Sequence, residues 1–236
     1  MGLTTGTPVT PVGTGYIAVS NWYNQIWPNV PFCPNPKIAE AIVDAARDFL
    51  MRTELWTVEL ELTDIEAGKR EYIVKSPLGE MVSLDHFEIL NGDTYYRKTV
   101  IAEIAVEENP EERDDWRAQT TEDPDAGWIG QDLRVNLMYT PEIDITAGLK
   151  TWINIMPFDG AQVVPKILWT HYKKVIADRA LAELLLMSNK PWANPQLGSA
   201  HGMGYEDAVL PARQKKFSGF TRHRTRDIIT TKYTDF

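Results

Sequence analysis

The side chains best suited to bind a metal or attack an electrophile are four histidines, His86, His171, His201 and His223, and one cysteine, Cys33. No two histidines fall in an HExxH or HxH arrangement, so their spacing puts no pair of ligands on one helix or strand face. Cys33 can form neither an intrachain disulfide nor a Cys-rich zinc site by itself. It stands among prolines with no nearby histidine or cation to activate it, which predicts a structural thiol. Glu59 and Glu61 lie two residues apart on a predicted strand, hence on one solvated face, and acid–base work would need a cleft that nothing in the pattern provides. There is no P-loop and no G-x-S-x-G elbow, and Gly202-Met203-Gly204 lacks both a preceding strand and a third glycine. These patterns predict no catalytic residue, no metal site and no cofactor; the chain reads as a non-enzyme.

The last eighteen residues are more informative. In GFTRHRTRDIITTKYTDF, Arg222, Arg224 and Arg226 alternate with Thr221, His223 and Thr225, and β-branched Ile228, Ile229, Thr230 and Thr231 lead to Tyr233 and Phe236. Such a stretch favours extended backbone and has no helical face. Three readings stay open: a frayed terminus, a strand that docks on another subunit by edge pairing, or a basic tail whose arginines meet phosphates. Charge sharpens the choice. The formal net charge is -9, yet residues 213–236 hold seven Lys and Arg against two Asp, leaving 17 basic and 31 acidic residues elsewhere. An acidic body with a basic end predicts a tail that seeks an acidic partner. The segment 103–125 is strongly acidic, which reads as a solvated short helix and loop.

Those residues must be carried by a fold. At 236 residues and 43% hydrophobic, the chain can build a sizeable core. A single cysteine reads as a reduced, intracellular origin, and no apolar run reaches the ~18 residues of a membrane span. Residues 1–20, rich in Gly, Thr and Pro, predict an extended arm, and Pro28, Pro31, Pro34 and Pro36 predict a stiff extended lead-in pinned by Trp22, Trp27 and Phe32. Asn35 as N-cap and Pro36 at the first helical position predict a helix over about 36–55, with Ile38, Ile42, Ala45, Phe49 and Trp56 on its apolar side. Alternation at Val58, Leu60 and Leu62 predicts a strand, and further strands are predicted around 72–75, 81–90, 94–100, 134–140 and 150–156. Asn91-Gly92 predicts a type I′ hairpin turn. The longest helical pattern covers 165–189, with Leu168, Tyr172, Val175, Ile176, Ala180, Leu184 and Met187 on one stripe. A last helix over about 194–217 contains Gly198, Gly202, Gly204 and Pro211, which predict a weak or broken interior.

Several of these stretches together resemble head-to-tail adaptor proteins of tailed bacteriophages. The resemblance rests on Trp27-Pro28 and Pro31, on AIVDAARDFLMRTELW (Ala41 to Trp56) with its Ala45, Ala46, Phe49, Thr53, Trp56 spacing, on LLMSNKPWANPQL (Leu185 to Leu197), and on the GFTRHR tail. It covers about residues 24–236 and is a likeness of architecture. It implies a virion protein made in the bacterial host cytoplasm and placed at the capsid–tail junction. There, commonly twelve copies form a homo-oligomeric ring between the portal protein and the tail tube, nozzle or tail adaptor proteins. DNA would pass through the channel without specific binding, and no membrane is involved. Arg222, Arg224, Arg226, Ile228, Ile229, Tyr233 and Phe236 would bind the portal. Trp56 and Trp192 read as core anchors at helix ends. The alternative from another class is a nucleic-acid-binding module that uses the basic C-terminal tail.

The expected architecture is therefore α+β: a helical bundle with an inserted antiparallel β region and extended N- and C-terminal arms. Residues 1–34 would form the N-terminal arm and Pro-rich lead-in, 35–218 the adaptor domain with its β insertion at about 57–158, and 219–236 the C-terminal arm.

Overall fold

A computed structural model describes residues 15–100, 120–121, 126–129, 134–137 and 140–218. In chain order the strands are β1 (Tyr16–Ala18), β2 (Thr57–Glu59), β3 (Thr63–Ile65), β4 (Glu71–Ile73), β5 (Glu80–Asn91), β6 (Thr94–Val100), β7 (Thr120–Thr121), β8 (Ala126–Ile129), β9 (Arg134–Leu137), β10 (Thr140–Pro141), β11 (Ile145–Met156) and β12 (Val163–Pro165). The α-helices among the described residues are α1 (Tyr23–Ile26), α2 (Asn35–Thr53), α3 (Lys166–Leu186) and α4 (Pro195–Ser218).

The expectation of a helical bundle with a β insertion is overturned. The protein is a mixed α/β fold in which the sheet is an equal partner, built around a curled five-stranded antiparallel unit of β2, β3, β5, β6 and β11. The sheet continues past β6 through β8 and β9 to β4, in the order β2-β11-β5-β6-β8-β9-β4 with β3 also on β11. Nor is it wholly antiparallel, because β6 runs parallel to β8; β7 and β10 form a separate parallel pair. The physical reason is that the sheet has a core of its own. Tyr72, Leu84, Phe87, Ile89, Val135, Leu137, Ile153 and Ile155 are buried together, apart from the helical core. A segment that buries that much apolar surface stabilises itself and is no appendage. Register shifts between β11 and β5 at Trp152/Ile153 and Asn154/Ile155 are bulges of the kind that bend and curl a sheet.

The helical layer packs α2, α3 and α4 around Ile38, Ile42, Phe49, Leu50, Leu168, Ile176, Leu184 and Tyr205. Phe49 sits between Tyr172 and Tyr205, with ring centroids 4.8 and 6.4 Å away. Helix α3 is buried on more than the expected stripe, since Ala177, Leu181 and Leu185 are also enclosed and Asp178 is buried. It kinks at Tyr172, whose φ and ψ are -129° and 18°. There the Trp22 indole N–H enters the helix and donates to the Lys173 carbonyl at 3.0 Å, one of the recognised causes of a kink.

Several local expectations shift. Residues 15–30 are not an extended lead-in: β1 pairs with β12, and 3-10 turns at Val19–Trp22 and Trp27–Asn29 flank α1. Burying Trp22, Ile26 and Val30 against the helices outweighs the proline bias toward extension. Pro34, not Asn35, caps α2, and the Asn35 carboxamide instead accepts the Trp27 indole N–H at 3.2 Å. The hairpin turn is Gly92-Asp93, because Asn91 still pairs with Thr94; Gly92 alone takes positive φ, 62°, matching a II′ turn in place of the expected I′. Helix α4 runs unbroken through its glycines and Pro211. A Cβ at Gly198 would lie 3.0 Å from Cγ of Leu186, so the missing side chain lets α4 approach the end of α3 closely. Most of the acidic segment 103–125 lies outside the described residues.

Candidate functional site

The structure does not bring the expected site residues into one place. Arg222, Arg224, Arg226, Ile228, Ile229, Tyr233 and Phe236 lie outside the described residues. Trp56 is half-buried at the end of α2, packs against both the helical and the sheet core, and meets Tyr16 edge-on at 6.0 Å. Its carbonyl accepts the Ile155 N–H at 2.9 Å, which ties the end of α2 to β11. Trp192 packs against the helical core in the turn between α3 and α4, with its indole N–H buried and unpaired among the described residues.

What the fold does assemble is a polar junction where the C-terminal end of α4 meets the sheet. Antiparallel register sets Thr57, Asn154 and Ser83 side by side across β2, β11 and β5. The Thr57 hydroxyl donates to Asn154 Oδ1 at 2.7 Å, Asn154 Nδ2 donates to Ser83 Oγ at 2.9 Å, and that hydroxyl donates to Glu54 at 2.8 Å. Glu54 can reach because it caps α2 in the left-handed region, φ 54°. From above, the Lys216 ammonium donates to Asn154 Oδ1 at 2.9 Å, pairs with Asp85 at 2.7 Å and lies 3.7 Å from Glu54. His86 Nδ1 is 2.8 Å from the other Asp85 oxygen, and its ring stacks on Trp152 at 4.3 Å. Burial pushes the Asp85 carboxyl up, but hydrogen bonds from Lys216 and His86 outweigh it and hold the group below the usual carboxylate range.

This junction is a latch. Its donors and acceptors satisfy one another, which fixes the end of α4 on the sheet. A second tie lies nearby, where Arg47 of α2 grips Glu80 with both guanidinium nitrogens at 3.1 and 2.7 Å and donates to the Pro157 carbonyl at 2.6 Å. Sequence reasoning missed Lys216, Asp85, Asn154 and Arg47. The one available signal was Asn154, an amide between Ile153 and Ile155 in an otherwise apolar strand, where a buried amide requires partners.

The remaining chemistry-bearing groups are held structurally. His201 pairs with Asp178 at 2.9 Å, which answers the burial of that carboxylate. Burial raises the Cys33 thiol, opposed by Lys37, a neighbouring cation that the sequence reading had not counted. Burial and an Asp48 hydrogen bond push the Tyr205 phenol far up, so it remains a donor to Asp48 at 2.8 Å. Among the described residues no cluster of three or more His, Cys, Asp or Glu is disposed to hold a metal, and no helix is long and apolar enough to cross a membrane. No protein-family model matches the chain, and no curated protein matches it.

Proposed function

We propose that the chain is a structural virion subunit of a tailed bacteriophage, a ring-forming adaptor at the capsid–tail junction that joins the portal to the tail and lines the DNA channel. The observation that carries this reading is the placement of solvent-facing apolar groups at the two ends of the helical layer. Before α2, Phe32 is 90% exposed and sits at φ 67°, a region that a bulky residue seldom occupies, so the loop holds the ring outward against its own backbone preference. Trp27 lies exposed in the same loop. At the far end of α2, roughly 28 Å away at ~1.5 Å per residue, exposed Met51 and Leu210 and buried Val209, with the charged Arg52, Glu54, Glu206 and Arg213, line a groove of about 430 Å³. A knob and a groove at opposite ends are different surfaces, so copies joined through them meet head to tail, and such contacts close into rings when the rotation per copy permits.

Under this reading the partners are further copies of the chain, probed as a twelve-membered ring, together with the portal and the tail tube, nozzle or tail adaptor proteins. The acidic body suits a channel that lets DNA slide without adhering. The segment bearing Arg222, Arg224, Arg226, Ile228, Ile229, Tyr233 and Phe236 serves as the portal-binding arm. Electron microscopy of the chain mixed with the portal ring tests this. The wild type should form a closed ring of fixed copy number on the portal. Phe32→Asp, which suits the left-handed backbone better than Phe, should bind without closing the ring. Closure that persists in Phe32→Asp refutes the knob, and arm-dependent DNA binding without portal binding supports the nucleic-acid reading instead.

A further inference from the structure

Strand β2 is the last strand on its side of the sheet. The Leu60 N–H donates to the Thr151 carbonyl and the Trp56 carbonyl accepts from Ile155, both at 2.9 Å. In an antiparallel ladder alternate residues between them turn the other way, so Thr57 and Glu59 direct their amides and carbonyls outward. Among the described residues this is an open strand edge. Beside it, between β2 and residues 73–78, runs a groove of about 440 Å³ whose lining includes Val58, Leu60, Ile73 and Leu78. Exposed Glu59, Glu61 and Lys75 also border it. Glu59 meets Lys150 at 3.2 Å, whereas Glu61 has no ion pair among the described residues.

Helix α4 delivers the chain to this edge. Lys216 is bonded to Asn154, and Asn154 also receives the hydroxyl of Thr57, the first residue of β2. Helix α4, whose last described residue is Ser218, therefore ends close to the open strand. Residues 219–236 extended would reach about 60 Å at ~3.3 Å per residue, several times the length of β2. Their pattern fits the edge on both faces. At a period of two, Arg222, Arg224 and Arg226 share one face while Thr221, His223 and Thr225 beside them share the other. Along β2 the exposed acids Glu59 and Glu61 are likewise on one face and the groove-lining Val58 and Leu60 on the other.

We infer that residues 219–236 dock as an added strand on the open edge of β2 of their own chain, Arg222, Arg224 and Arg226 meeting Glu59 and Glu61 while Thr221, His223 and Thr225 lie on the side of Val58 and Leu60. Backbone pairing supplies the affinity and the alternation supplies the register. The same chain is the favoured occupant because α4 ends beside its own β2, where the arm's effective concentration far exceeds that of another copy. This goes beyond the adaptor reading and does not depend on it; where that reading holds, the portal must compete the arm off its own sheet.

Amide exchange of Thr57 and Glu59 in the full-length chain, measured by NMR at two protein concentrations, tests the inference. In the wild type both amides should exchange at least about 100-fold more slowly than in an unstructured chain, at either concentration. R222E/R224E/R226E should lose at least about tenfold of that protection, and adding E59R/E61R should restore it. Unprotected amides in the wild type, or equal rates in the wild type and the arm variant, would overturn the proposal. So would protection that disappears on dilution as a dimer dissociates, since the arm would then belong to a second copy.

Discussion

Replacing Lys216 by Met removes the ammonium that joins α4 to the sheet at this junction. The ammonium lies 2.7 Å from Asp85, 2.9 Å from Asn154 and 3.7 Å from Glu54, and the side chains of Lys216 and Asp85 are 16% and 21% exposed. An exposed ion pair contributes about 0–1 kcal/mol, and breaking a fully buried one costs about 3–5 kcal/mol. This pair lies between the two, closer to the buried limit, so Lys216→Met should destabilise the chain by about 2–3 kcal/mol, a fall in Tm of roughly 4–10 °C for a domain of this size. Urea unfolding followed by tryptophan fluorescence measures it. A double-mutant cycle with Asp85→Asn should return a coupling of about 1–2 kcal/mol, most of it surviving in 0.5 M salt, because water screens little of the contact. The pH profile follows from the depressed Asp85 carboxyl. A group whose folded pKa is lowered contributes stability that is fully present above its unfolded pKa of about 3.9 and is lost as pH falls through the folded value. The wild type should thus lose this contribution as pH drops below about 4, and Asp85→Asn should flatten that part of the curve. A Lys216→Met loss under about 0.5 kcal/mol would refute the latch and leave a surface ion pair in its place.

Other perturbations separate the remaining contacts. Gly79→Ala drives a Cβ into the Met156 carbonyl oxygen, which is backbone and cannot rotate away, so it should cost about 1–3 kcal/mol in urea unfolding through displacement of β5 from β11. Phe49→Ala should cost about 3–5 kcal/mol, because its ring is fully enclosed in the helical core, and hydrogen exchange should rise in α2 to α4 before it rises in β5 and β11. Arg52→Ala, by contrast, removes a two-pronged pair with Glu206 at 2.7 and 2.6 Å that is largely in solvent, and should shift thermal unfolding by no more than about 0.5 kcal/mol equivalent.

Periodicity made much of this fold legible. The stripe through Ile38, Ile42, Ala45 and Phe49 marks α2, and Leu168, Ile176 and Leu184 mark α3, because burial on one face of a helix leaves a 3.6-residue trace. Strand alternation located β5, β6 and β11 to within a few residues, although β11 begins at Ile145, earlier than expected. The order of strands was not legible. Nothing local tells that β6 pairs in parallel with β8 or that β4 ends at the far edge, since those neighbours are chosen by cross-sheet packing. The weight of the sheet was misjudged for the same reason: its strands look short and half-solvated one at a time, and only their assembly shows Phe87, Ile89 and Ile153 enclosed together. Helix α4 was misread because Gly198 and Pro211 weaken a helix in isolation, whereas close packing on α3 stabilises it in context. The latch joins Lys216 to partners at least 62 residues away in sequence, a separation at which spacing carries no signal. The expected arm lies outside the described residues, and the fold shows only that α4 ends beside β2.

The adaptor role is tested most directly by the light-scattering mass of the full-length chain mixed with its portal ring, compared with the same mixture made with R222E/R224E/R226E. A gain of one ring of subunits, commonly twelve, for the wild type and none for the variant is the expected result. If neither adds mass to the portal while the wild type binds duplex DNA and the variant does not, the chain is a nucleic-acid-binding module and the adaptor role is wrong.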